Sequence, residues 1–108
     1  MNETVERDQL LNRIKSAIQD ISPNADIILY GSRAMGTASP ESDWDLLILL
    51  PSTEDKALDA EIRDRLYDIE LETDTVISSI IRSKVEWMSA RYEVMPLHQE
   101  IERYGVAL

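Results

Sequence analysis

An unbroken run of five aliphatic residues, from Leu46 to Leu50, constrains the fold more than any other feature of the sequence. It forms the far half of a predicted strand, Asp43 to Leu50, which ends at Pro51. A strand with one face in water alternates apolar and polar side chains, whereas a strand covered on both sides is apolar throughout. The run therefore predicts a sheet that carries packed layers on both of its faces.

The segments on either side of this strand alternate between helical and extended patterns. Apolar residues recur at spacings of three and four in two stretches, which predicts amphipathic helices over Val5–Ile21 and Thr53–Ile69. Short stretches rich in β-branched residues predict strands over Ala25–Tyr30 and Glu72–Ile81.

Two further helices are predicted towards the carboxyl end of the sequence. A capping box at Ser83 opens one that runs to about Tyr92, and Gly105 ends another over Pro96–Tyr104. The order of these elements predicts an α/β (α+β) domain, in which helices flank a small mixed sheet of about three to four strands.

The length of the chain bounds its organisation. With 108 residues it is long enough for one domain with its own core, residues 1–108, and too short for a second domain that would hold a large substrate. We therefore expect a partner chain or a homo-oligomer to complete the site. No apolar run reaches the length of a membrane span and the amino terminus has no apolar signal core, so the prediction is a cytoplasmic protein without membrane contact.

Charge and cysteine content exclude several classes of function. The 21 acidic and 11 basic residues give a net charge of −10, which repels polyphosphate chains, so we expect no binding of free nucleic acid. The absence of cysteine excludes disulfides and thiolate metal sites. A nucleotide can still bind if a divalent cation bridges its phosphates to acidic side chains.

The chemistry-bearing pattern is Gly31-Ser32, then ten residues, then Asp43-Trp44-Asp45. Residues two apart in a strand point to the same face, so the two carboxylates are expected on one side of the sheet, about 7 Å apart along the chain. Two carboxylates on one buried face repel each other unless a divalent cation lies between them. Ligands that are all oxygen suit Mg²⁺, which completes its shell with water and phosphate oxygens.

The residues at the end of the first strand fit a phosphate-binding role. Gly31 lets the backbone turn sharply and lets phosphates approach the main chain. Ser32 can donate to a phosphate oxygen through its hydroxyl and its amide. Arg33 either neutralises further phosphate charge or is simply exposed.

Together with the apolar strand before Gly31, this pattern resembles the signature of the minimal nucleotidyltransferases of the DNA polymerase β type, a Gly-Ser pair followed by Asp-x-Asp. The resemblance spans about residues 27–50. It implies the polymerase β-like fold and the Mg²⁺-dependent transfer of a nucleoside monophosphate, usually AMP from ATP, to a hydroxyl. It also implies a toxin–antitoxin context, because small relatives of this kind are commonly encoded beside HEPN-domain proteins and act as antitoxins, in some cases by modifying the partner with AMP.

The third carboxylate that this resemblance implies is ambiguous in the sequence. Asp74 is the first candidate, as the start of the third predicted strand, and it joins Asp43 and Asp45 as a predicted catalytic and metal-binding residue. A different register places Val76 at the acidic position, with Glu72 and Asp74 on the same strand face. The first register predicts an enzyme. The second favours a binding module that neutralises its partner by forming a complex.

Overall fold

The structure is a computed structural model that describes residues 3–52 and 55–108. Its elements alternate much as the sequence predicts, and their bounds are α1 Glu3–Ile21, β1 Asp26–Tyr30, α2 Ser32–Met35, β2 Trp44–Leu50, α3 Lys56–Thr73, β3 Ile77–Ser83, α4 Lys84–Trp87, α5 Ala90–Glu93, α6 Pro96–Tyr104 and β4 Val106–Ala107. No helix within the described ranges is both long and apolar enough to cross a membrane.

The four strands form one mixed sheet in the order β3-β2-β1-β4. β1 is antiparallel to both β2 and β4, whereas β2 and β3 run parallel and are joined across the sheet by α3. Parallel neighbours need such a crossover, because a short turn cannot return the chain to the same end of the sheet. The fold class predicted from the sequence is confirmed.

The aliphatic run in β2 is buried on both sides of the sheet. Leu46, Ile48 and Leu50 join the core against α1 and α3, which we call the α1/α3 face. Leu47 and Leu49 pack on the opposite side with Trp87 of α4 and Ile101 of α6, which we call the α4/α6 face. All five aliphatic residues of the run are buried, which explains why this strand does not alternate.

The third strand begins later than the sequence pattern predicts. Glu72 lies in the last turn of α3, beside Arg13 of α1 with which it forms an ion pair, and Thr73 donates its hydroxyl to the carbonyl of Ile69 at 2.6 Å. The helix continues past Ile69 because its last turn contains good helix formers, although its apolar Leu71 faces solvent. The prediction ended the helix at its last core-facing residue, and this was wrong. Its predicted start at Thr53 lies outside the described residues.

The predicted helix from Ser83 to Tyr92 is two short helices, α4 and α5. Its capping residue is confirmed, because the Ser83 hydroxyl accepts from the Glu86 amide at 3.0 Å. β4, the two-residue strand that follows Gly105, pairs with β1 at the edge of the sheet.

Candidate functional site

The two halves of the Gly-Ser and Asp-x-Asp pattern meet at one edge of the sheet. β1 ends where antiparallel β2 begins, so Tyr30 is paired with Asp45. A Cβ added to Gly31 would overlap Oδ2 of Asp45 and would lie 3.3 Å from its Cγ. The carboxylate of Asp45 therefore rests directly against the backbone of the glycine turn.

Gly31 is required at this position for two independent reasons. Its φ of 73° is positive, which residues other than glycine rarely adopt. The Asp45 carboxylate also occupies the space that a Cβ on this residue would need. The turn leads into the four-residue helix α2, in which the amides of Ala34 and Met35 both donate to the Gly31 carbonyl at 3.1 Å. Ser32, the first residue of that helix, has a partly exposed side chain.

The carboxylates of Asp43 and Asp45 are close enough to repel each other. Burial raises the pKa of Asp45, and the neighbouring carboxylate of Asp43 raises it further. The pKa of the Tyr30 hydroxyl is also raised, first by burial and then by the charges of Asp45 and Glu100. A cation between the two aspartates would reverse this repulsion, and their oxygens are the ligands that Mg²⁺ prefers. The pair therefore fits a bound Mg²⁺.

Asp45 lies on the α4/α6 face, and Asp43, two residues earlier, is expected on the same side by strand alternation. Trp44 between them is buried in the α1/α3 core, as the alternation requires. The sequence did not single out Tyr30, although its place directly before Gly31 and its pairing with Asp45 put it at the edge of the site. Strand alternation combined with the hairpin-like pairing of β1 and β2 would have identified it.

Asp74 does not begin the third strand. It ends α3 in the left-handed conformation, with a φ of 53°, and β3 starts three residues later at Ile77. Ile77 is paired with Trp44 and Ser78 with Asp45. Continuing the parallel register by one position puts Val76 beside Asp43, and the Trp44 amide donates to the Val76 carbonyl at 2.9 Å.

In the structure Val76 occupies the position beside Asp43, and neither Glu72 nor Asp74 belongs to β3, so neither predicted register is reproduced in full. Val76 is half exposed at that position. In the part of the chain that the structure describes, no group of three or more acidic or histidine side chains is arranged to hold a metal ion. The carboxylates of Asp43 and Asp45 act on each other at the start of β2, and that of Glu100 acts with Asp45 on the neighbouring Tyr30.

We expect replacement of Asp74 by glycine to leave the affinity for Mg²⁺ and nucleotide unchanged. Glycine adopts the left-handed conformation without steric cost, so the free energy of unfolding should stay equal or rise by up to about 1 kcal/mol. Calorimetric titration and thermal unfolding of Asp74→Gly beside the wild type check both expectations. A marked loss of metal affinity would instead assign Asp74 to the site.

Arg33 points away from the aspartate carboxylates. Its guanidinium bonds to the carbonyls of Pro40 and Ser42 and lies over the ring of Trp44, 4.3 Å from the centroid. It lines a groove of about 860 Å³ on the α1/α3 side of the loop, and neither Asp43 nor Asp45 lines that groove. The phosphate contact of Arg33 stays a prediction, since these partners are all within the chain.

Comparison with solved structures shows the same fold in toxin–antitoxin complexes. A chain of a toxin–antitoxin crystal structure with AMP-PNP has a TM-score of 0.62 at 24% identity, over 89% of this chain and 69% of that chain. A tyrosine-to-alanine mutant of the MntA–HpeT toxin–antitoxin has a TM-score of 0.60 at 24% identity, over 90% and 69% of the two chains. An MntA–HpeT mutant with two aspartates, two positions apart, changed to glutamate has a TM-score of 0.61 at 22% identity, over 89% and 69%.

Comparison with sequences gives the family. No curated protein matches the chain. The profile of the nucleotidyltransferase domain matches residues 11–99, a range that contains the glycine turn, both aspartates and three of the four strands. Since this match covers most of its length, the chain belongs to the nucleotidyltransferase domain family.

Proposed function

We propose that the chain binds ATP with Mg²⁺ at the Gly31 turn and transfers AMP to a hydroxyl group of a partner protein. The observation that carries this proposal is the contact between the Asp45 carboxylate and the Gly31 backbone. One carboxylate of the Asp43–Asp45 pair lies against a glycine turn, and this closeness supports a site for a metal ion beside phosphates. A nucleoside triphosphate with its metal ion is the ligand that uses both.

Each residue of the site has a distinct task in this proposal. Asp43 and Asp45 hold the metal ion through their carboxylate oxygens, and the Ser32 amide and hydroxyl donate to the phosphates. Gly31 leaves room for the phosphates against the main chain. When bound, Mg²⁺ supplies the positive charge that neutralises the triphosphate and the departing pyrophosphate.

The reaction is a substitution at the α-phosphorus of ATP. The acceptor hydroxyl oxygen forms the new bond to that phosphorus, the bond to the oxygen bridging the α- and β-phosphates breaks, and pyrophosphate leaves. The hydroxyl proton is released to water. The task of the protein is to position the reacting groups and stabilise their charge, which accounts for most of the catalysis in phosphoryl transfer.

The acceptor that we propose is a hydroxyl-bearing side chain of a toxin, with a HEPN-domain protein as the specific expectation. The charge of −10 disfavours a nucleic acid acceptor, because its phosphates would be repelled. Three structures of the same fold come from toxin–antitoxin complexes, one of them with the ATP analogue AMP-PNP. Both points support a protein acceptor.

The test is to incubate the chain with ATP labelled at the α-phosphate, Mg²⁺ and the protein encoded beside it. We expect covalent label on that protein, no transfer with ATP labelled only at the γ-phosphate, and no transfer with the Asp45→Asn variant. Mass spectrometry would identify the modified side chain by the added mass of AMP. Absence of label in a mixture where the two proteins form a tight complex would refute transfer.

The second candidate function is a binding module that neutralises the partner through complex formation alone. One observation favours it, namely that Val76 lies where a third carboxylate would complete the acidic site beside Asp43. A site with two carboxylates can bind a nucleotide with one metal ion, but its rate of AMP transfer would be low because a metal ligand is missing. The two functions differ in one respect, which is whether the label reaches the partner.

We expect Val76→Asp to increase the rate of AMP transfer by about 10-fold or more, because it adds a metal ligand beside Asp43. Val76 is exposed, so the new carboxylate incurs little cost of burial. Val76→Asn is the matched control, since asparagine has nearly the same shape as aspartate but no charge. Initial rates of label transfer measure the effect, and equal rates for all three proteins would show that the third position is irrelevant to the reaction.

A further inference from the structure

Arg33 ties the two halves of the site together through the loop between them. It lies in α2, directly after Gly31 and Ser32. Nη2 of its guanidinium donates to the carbonyl of Ser42 at 2.9 Å and to that of Pro40 at 3.2 Å, and its Nε lies 3.3 Å from the same Ser42 carbonyl. Ser42 is the residue immediately before Asp43, so these bonds end at the entrance of β2.

The same guanidinium also holds the residue that follows Asp43. It lies over the Trp44 ring, 4.3 Å from the centroid, and that tryptophan is only 6% exposed within the α1/α3 core. A planar cation over an indole is attracted to its face. One side chain therefore contacts the residues on both sides of Asp43, through the carbonyl of Ser42 and the ring of Trp44.

The Thr37 amide donates to the Ser32 carbonyl of α2 at 3.1 Å, so Arg33 is the link between α2 and the far end of the loop. Gly36 ends α2 in the left-handed conformation, with a φ of 74°, and nothing lies within 4 Å of the place where its Cβ would be. Bonds between Ser39 and Ser42 close the turn that follows, at 3.0 Å and 3.1 Å, but they are local to it. They do not connect the turn to α2, whereas the guanidinium of Arg33 does.

We propose that Arg33 is a positioning residue, which sets the place of Asp43 relative to the Gly31-Ser32 turn through the Ser42 carbonyl and the Trp44 ring. The inference rests on the proposed function, because it concerns the same metal-binding pair. Asp45 is held by the strand pairing of β2 and by its contact with Gly31. Asp43 lies one residue before that strand begins and takes its position from the loop.

Two variants separate the geometry of this side chain from its charge. Arg33→Lys keeps the charge but lacks the planar fork that bonds two carbonyls and stacks on an indole, and Arg33→Met removes the charge as well. We expect both to weaken Mn²⁺ binding by about 10- to 100-fold, the loss seen when a group that orients a metal ligand is removed. Lysine should not rescue the affinity. Arg103→Lys is the matched control, because Arg103 also lies over an aromatic ring, that of Tyr104 at 6.0 Å, outside the site.

The experiment combines metal binding by electron paramagnetic resonance with amide hydrogen exchange of residues 37–42. The proposal predicts weaker Mn²⁺ binding and faster exchange of this loop in both Arg33 variants, and neither change in Arg103→Lys. Unchanged Mn²⁺ affinity in Arg33→Met would overturn it, as would weaker nucleotide binding with unchanged loop exchange, which indicates a direct phosphate contact. If the wild type bound no Mn²⁺, the proposed function would fail, and loop exchange in the variants would still decide whether Arg33 fixes the loop.

Discussion

Replacing Gly31 with alanine is expected to weaken nucleotide binding in the presence of Mg²⁺ by about 10- to 100-fold. The added methyl group would occupy the position of the Asp45 carboxylate, so that side chain must move away from the turn. The backbone conformation, with a φ of 73° and a ψ of −159°, is almost confined to glycine and adds a cost of about 1–3 kcal/mol to the folded state. The measurements are calorimetric titration with AMP-PNP and Mg²⁺ and the free energy of unfolding in urea.

Gly36→Ala is the control for this variant because it adds a Cβ to a glycine of positive φ without a clash. Gly36 has nearly the same φ, 74° against 73°, but nothing lies within 4 Å of the added Cβ. The ψ of Gly36 is 15°, which other residues adopt at modest cost, whereas the ψ of Gly31 is −159°, a conformation almost confined to glycine. Gly36→Ala should therefore lose less stability than Gly31→Ala, and Gly31→Ala alone should lose nucleotide affinity through the clash with Asp45. Equal losses of affinity in the two variants would mean that the Gly31–Asp45 contact is not part of the binding site.

Replacing Asp45 with asparagine is expected to abolish metal binding and, without metal, to stabilise the fold. The folded state raises the pKa of Asp45 through burial and through the Asp43 charge, so the ionised carboxylate opposes folding near neutral pH. Asparagine removes that charge, and the melting temperature at pH 7 should rise by a few degrees. The advantage should shrink as the pH falls through the folded-state pKa of Asp45 and vanish below its unfolded-state pKa, where the wild-type carboxylate is neutral in both states.

Addition of Mg²⁺ should reverse this order of stability. A ligand that binds only the folded state raises its stability, so Mg²⁺ with AMP-PNP should raise the melting temperature of the wild type and leave that of Asp45→Asn unchanged. Asp64→Asn, which removes an exposed carboxylate from α3, controls for the general effect of lowering the net charge. A stabilised Asp45→Asn that still binds Mg²⁺ as the wild type does would contradict the assignment of the carboxylate.

The sequence predicted the strands and their layers because burial imposes a strong pattern. The run from Leu46 to Leu50 admits only a strand covered on both sides, and its two faces do enter two different cores. The convergence of Gly31 and Asp45 was also predictable, because the end of β1 and the start of β2 lie at the same edge when the two strands pair. Buried positions are occupied by apolar residues, so the sequence pattern shows which positions are buried.

The end of α3 was not predictable in the same way. Its last turn faces solvent and contacts the rest of the chain through the ion pair of Glu72 with Arg13, which leaves no apolar periodicity to read. Asp74 ends the helix in the left-handed conformation, in which glycine is the residue usually expected. The register of β3 follows from where that reversal occurs, so the start of this strand at Ile77 could not be predicted from the sequence.

The partners of Arg33 could not be predicted from the sequence for a different reason. The sequence shows a cation next to a predicted phosphate-binding turn, which favours a phosphate contact. Its actual partners are two backbone carbonyls and the face of Trp44, and backbone acceptors leave no trace in a sequence. Side-chain bonds to the main chain depend on the path of the loop, which is known only once the strands on either side are in place.

The most direct measurement of the central claim is paramagnetic broadening of amide resonances during titration with Mn²⁺ in the presence of AMP-PNP. Mn²⁺ broadens signals from nearby nuclei, so the first resonances lost identify where the ion binds. We expect the amides of Gly31, Ser32 and Asp45 to broaden first, at less than one ion per chain. Broadening that begins instead on the acidic, solvent-facing side of α3, with the Gly31 turn unaffected, would contradict it.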